Sequence, residues 1–73
     1  MTNDSFIKDL TVGTKPETVS NPYSGESFEL TPTEVAVYDF IKGCEMMGLY
    51  SNMQIGLDWF KRNNAKAYLT LLD

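Results

Sequence analysis

The four residues Thr31-Pro32-Thr33-Glu34 constrain this chain more than any others. A threonine followed three positions later by a glutamate is a capping box. The hydroxyl accepts from a backbone N–H inside the first turn, and the carboxylate reaches back to the N–H of the cap. Pro32 sits where its fixed φ suits a first helical residue and its missing N–H costs nothing. A helix therefore starts at residue 32. Val37, Phe40, Ile41, Cys44 and Met47 then recur at helical spacing and make one apolar face, while Glu34, Lys42 and Glu45 point elsewhere. Gly48 suits the left-handed position that closes such a helix, which is predicted over about 32–47.

Two further helices follow by the same logic. Ser51-Asn52-Met53-Gln54 reads as a second box opening a helix over 52–62, with Met53, Leu57 and Phe60 on one face and Asp58 four residues before Arg62. Asn64 can cap a third helix over 65–72, whose Ala65, Tyr68, Leu69 and Leu72 again share a face. Connections of only a few residues require the three helices to fold back on one another.

The first half has a different character. Residues 1–31 are rich in Ser, Thr, Asn, Gly and Pro, with apolar side chains thinly spread. Within 17–30, two short extended runs flank Asn21-Pro22-Tyr23-Ser24-Gly25. Pro22 pre-sets a turn dihedral there and Gly25 can take positive φ, so the stretch reads as a hairpin. Ahead of it, Phe6, Ile7, Leu10 and Val12 fit neither the helical nor the strand period, and Val12-Gly13-Thr14-Lys15-Pro16 interrupts regular structure. The expected fold is mainly α with a small β-hairpin, an α+β arrangement. Its single small domain spans 17–73 and follows a flexible arm over 1–16.

Chemistry is sparse. A chain of 73 residues supplies one thin core. Cys44 is its only cysteine, which excludes an internal disulfide, and the absence of histidine removes the commonest metal ligand and general base. Cys44 falls on the apolar helix face with no base nearby, as a small core residue would. The ten carboxylates are scattered rather than alternating along one loop, and no glycine-rich phosphate loop is present. No catalytic residue, metal or cofactor is expected. The first residues lack a basic region followed by an apolar run, and no apolar stretch approaches the ~20 residues needed to cross a bilayer. A cytoplasmic protein is expected.

The binding partner is the remaining question. A net charge of −4 repels nucleic-acid phosphates and suits a basic protein surface. The apolar helix, the Gly48 turn and the next helix, with Ser51, Asn52 and Gln54 at its start, have the shape of a helix-turn-helix, so a small DNA-binding repressor is the alternative. Its second helix carries only Lys61 and Arg62, at the far end. For protein contact the candidates are Phe6, Ile7, Leu10 and Val12 as arm anchors, and Tyr23 and Trp59 as aromatic contacts. Asp4, Asp9 and Glu17 would meet partner cations. Trp59 can equally cover the core against the hairpin, and the arm can equally pack back on its own helices.

The whole chain also resembles the small transcription regulators of lytic Xanthomonas bacteriophages. The likeness runs from Met1-Thr2-Asn3-Asp4-Ser5-Phe6-Ile7-Lys8 through Asn21-Pro22-Tyr23-Ser24-Gly25 to Gly56-Leu57-Asp58-Trp59-Phe60 and Leu71-Leu72-Asp73. It rests on overall sequence and size, not on a motif diagnostic of function. The resemblance implies a monomer that binds host RNA polymerase at the β flap and the N-terminal region of β′, near the RNA exit channel. It implies inhibition of initiation by sigma-factor displacement, and antitermination with the host factor NusA assisting. From the residues themselves, no membrane association and no direct sequence-specific DNA binding are expected.

Overall fold

A computed structural model of the chain describes Leu10 and residues 12–72. The elements run β1 (Glu17–Ser20), β2 (Ser27–Leu30), α1 (Pro32–Met47), α2 (Tyr50–Asn63) and α3 (Ala65–Leu71). This is the expected α+β fold, three helices and an antiparallel hairpin.

The hairpin closes through one side chain. Asn21 Oδ1 accepts from the N–H groups of Tyr23 (2.8 Å) and Ser24 (3.4 Å), an Asx-turn that stands in for backbone pairing. Its own N–H donates to Glu26 O at 2.7 Å, and Gly25, at φ 79°, donates to Asn21 O at 2.9 Å. The turn sets Glu17 opposite Leu30 and Val19 opposite Phe28. Asn21 Nδ2 then reaches the Thr70 carbonyl at 3.1 Å, tying the hairpin to the last turn of α3.

The capping box at Thr31 forms as expected. Glu34 N–H donates to Thr31 Oγ1 at 3.3 Å and Thr31 N–H donates to Glu34 Oε1 at 2.9 Å. The second carboxylate oxygen of Glu34 accepts from Asn64 Nδ2 at 2.9 Å, while Asn64 Oδ1 caps α3 by accepting from Ala67 N–H at 3.2 Å. One polar chain therefore joins the start of α1 to the junction of α2 and α3.

At the other end of α1, Gly48 takes φ 74° and donates to Glu45 O, and Leu49 donates to Cys44 O at 2.9 Å. These paired bonds satisfy the last carbonyls of α1 in a Schellman motif. They also change how α2 begins. The helix starts at Tyr50 with Leu49 as N-cap and no capping side chain, so the box expected at Ser51 does not form. Leu49 O already accepts from Met53 N–H at 2.9 Å, so helical bonding begins before Ser51 is reached.

The core is built from Leu30 of β2, Val37, Tyr38 and Ile41 of α1, Trp59 and Phe60 of α2, and Ala67 and Leu71 of α3. Leu30, Val37 and Phe60 are its fully buried large side chains, and Cys44 is also buried. No polar or charged residue is buried among the described residues. A Cβ on Gly56 would lie 2.6 Å from Ile41 Cγ1, so α1 and α2 pack together through the missing side chain.

Two expectations about faces fail, one on α3, where Ala65 and Leu69 are exposed and Ala67 and Leu71 are buried instead, and one on α1. Met47, placed on the core face of α1, is 74% exposed, because Cys44 is the last buried residue of that helix and the Gly48 turn carries the chain away before Met47 is covered. Of the two readings open for Trp59, the structure takes the core one over the aromatic contact, with the ring only 7% exposed. α2 packs against α1 on one side and α3 on another, so two consecutive positions are covered. Trp59 and Phe60 meet edge to face, with centroids 5.5 Å apart and planes at 84°.

Candidate interaction surface

With Trp59 inside, exposed apolar chemistry must come from elsewhere. Tyr23 stands 95% exposed at the hairpin tip, held there by the Asn21 turn beneath it. Of the expected arm anchors, Val12 is exposed, whereas Leu10 is half-buried and packs against the core. Glu17 is exposed at the start of β1. Phe6 and Ile7, with Asp4 and Asp9, lie outside the described residues.

The largest run of exposed apolar side chains was not among the candidates. Met46 and Met47 end α1, Leu49 caps α2 and Tyr50 begins it, and all four are exposed, Met46 at 87%. They form an apolar corner where α1 turns into α2. Exposed groups of this kind mark contact surfaces more often than scattered single residues do, and methionine adapts to irregular partners. A signal was present in the sequence: two methionines directly before a terminating glycine lie where a helix overruns its core.

Toward the other end of α1 lies a groove. An open cavity of about 250 Å³ is lined by Gly13, Lys15, Glu17, Pro32, Val35, Ala36 and Asp39. Pro32, Val35 and Ala36 give it apolar lining from α1, and Lys15, Glu17 and Asp39 give it charge.

Several cations elsewhere are engaged internally. Lys42 Nζ lies 3.9 Å from Glu45 Oε1 and 5.5 Å above the Tyr38 ring. Lys61 sits 5.3 Å above the Tyr68 ring, and Arg62 Nε donates to the Asp58 carbonyl at 3.3 Å. Gln54, a candidate base-reading side chain, spends its amide on Asp58 Oδ1 at 2.9 Å. Among the described residues no three His, Cys, Asp or Glu side chains converge as metal ligands. None of the described helices is long and apolar enough to cross a membrane.

Comparisons with models of known protein families, with curated proteins and with solved structures return no match.

Proposed function

We propose that this chain is a non-catalytic transcription regulator that binds bacterial RNA polymerase at the β flap and the N-terminal region of β′. There it inhibits initiation by displacing sigma and promotes antitermination with NusA, acting as a monomer in the host cytoplasm. The resemblance to phage regulators supplies the partner. The observation that carries the reading is an acidic body that leaves Tyr23 and the Met46, Met47, Leu49 and Tyr50 corner exposed. Apolar and aromatic groups on an acidic background suit a basic protein surface, such as one that lines an RNA channel. The body measures 32 × 27 × 21 Å, and acting by occupying a surface requires no covalent step.

The test is co-purification of the tagged, full-length chain with purified RNA polymerase, followed by competition with sigma. Stoichiometric association that sigma opposes is expected, and no association sinks the proposal. A gel-shift titration against duplex DNA at low salt is expected to show little binding. Tight, salt-sensitive binding by the isolated chain would favour a DNA-binding repressor instead.

A further inference from the structure

Two glycines stand inside the helices of this fold, and packing accounts for only one. Gly56 is where α1 and α2 approach. Gly43, in the middle of α1, has nothing within 4 Å of where its Cβ would be. A glycine inside a helix weakens it relative to alanine, so folding by itself gives no reason for Gly43.

Its position suggests another reason. Pro32, Val35, Ala36, Asp39, Gly43 and Met46 follow one another along one side of α1 at i, i+3, i+4, i+7, i+11 and i+14, a stripe away from Val37, Ile41 and Cys44. The first four line the groove. Gly43 continues it as bare backbone, and Met46 and Met47 stand exposed beyond. One helix thus carries a core stripe and a second, largely apolar stripe that none of the described elements covers at its C-terminal end.

Charge decides what fits there. Asp39 is exposed and its side chain has no hydrogen-bond or ion-pair partner among the described residues; Glu17 and Lys15 share its groove, which is therefore net negative by one charge. The nearby cation on α1, Lys42, is directed to Glu45 and the Tyr38 ring. The last turn of α1 has no basic residue to offset the negative end of its dipole. With two carboxylates against Lys15 in the groove, and Lys42 paired to Glu45 beyond it, this side of α1 is disfavoured for anionic lipid and nucleic-acid phosphate. A second copy related by two-fold symmetry would set the same carboxylates against one another.

We infer that this side of α1 receives a basic segment of the polymerase, with one apolar side chain seated on the bare backbone at Gly43 between Met46 and Met47 and a neighbouring Lys or Arg on Asp39. This rests on the polymerase reading above and assigns the surface that reading uses. Gly43 permits close approach of the partner's side chain, the methionines adapt around it, and Asp39 fixes its orientation.

The test is calorimetric titration of purified Xanthomonas RNA polymerase with the full-length chain and its Gly43→Gln and Asp39→Lys variants, with a thermal melt of each. Glutamine is a good helix former, so Gly43→Gln is expected to melt several degrees higher, roughly 4–8 °C for a domain of this size, while binding at least about tenfold more weakly. That opposition separates docking from folding, since a purely structural effect moves both in one direction. Asp39→Lys is expected to melt near wild type and to bind roughly five- to tenfold more weakly. Wild-type binding with both variants within about twofold of it overturns the surface and leaves the polymerase reading standing. No wild-type binding overturns both. Self-association that Gly43→Gln abolishes, with polymerase binding unchanged, assigns the face to a second copy and overturns the inference.

Discussion

Replacing each mid-helix glycine by alanine is expected to move stability in opposite directions. Either substitution gains about 0.8–1.0 kcal/mol of helix propensity. At position 43 nothing opposes that gain, because the added methyl meets open space. At position 56 it would sit 2.6 Å from Ile41 Cγ1, 3.2 Å from Phe40 Cδ2 and 3.3 Å from Ile41 Cδ1. Ile41 is 3% exposed and cannot swing outward, so the helices must part or Ile41 must leave its rotamer. Overpacking of this kind costs about 1–3 kcal/mol. Gly56→Ala should therefore be net destabilising by roughly 0–2 kcal/mol, set against a gain of about 1 kcal/mol for Gly43→Ala. The gap between the variants isolates the clash. It corresponds to a separation in melting temperature of at least roughly 4–8 °C. Urea and thermal unfolding followed by far-UV circular dichroism measure it directly, with an unchanged urea slope confirming a common denatured state. Equal stabilisation of the two variants would refute the close packing of α1 and α2 through Gly56.

Three further outcomes test other joints of the fold. Asn21→Ala removes the Asx-turn and the tie to Thr70 O together, and should cost about 1–2 kcal/mol. Faster amide exchange in the hairpin than in α2 would show the loss is local. Asn64→Ala uncaps α3 and strands Glu34 Oε2; a loss of about 1–2 kcal/mol in urea unfolding is expected, and a change within error would mean water replaces both bonds. The fluorescence of Trp59 should be blue-shifted and poorly quenched by acrylamide in the free protein, because the ring packs against Phe60; free quenching would return Trp59 to the surface.

Local chemistry made the helices readable. As caps, Thr31, Pro32, Glu34, Gly48 and Asn64 act through groups within a few residues of themselves, so these roles follow from sequence spacing, whereas the bond between Asn64 and Glu34 does not. Ser51 shows where that logic stops. It has the right neighbours for a cap, but the Schellman turn at Gly48 already commits Leu49 to the start of α2, and two adjacent local signals compete for one boundary. Met47 fails for a different reason, which also left Trp59 open between core and surface. Helical spacing identifies which residues share a face, but not how many neighbours a helix has or how far its core extends. α2 is covered from two sides, which draws in Trp59, whereas α1 outruns its cover, which leaves Met47 bare.

The two glycines carry this furthest. In sequence Gly43 and Gly56 look alike, each a small residue within an amphipathic helix. Only the distance from Gly56 to Ile41 gives that residue a reason within the fold, and the same measurement withholds one from Gly43. A position that weakens its own helix, borders an apolar groove and stands beside two exposed methionines is therefore better explained by what approaches α1 from outside than by what packs behind it.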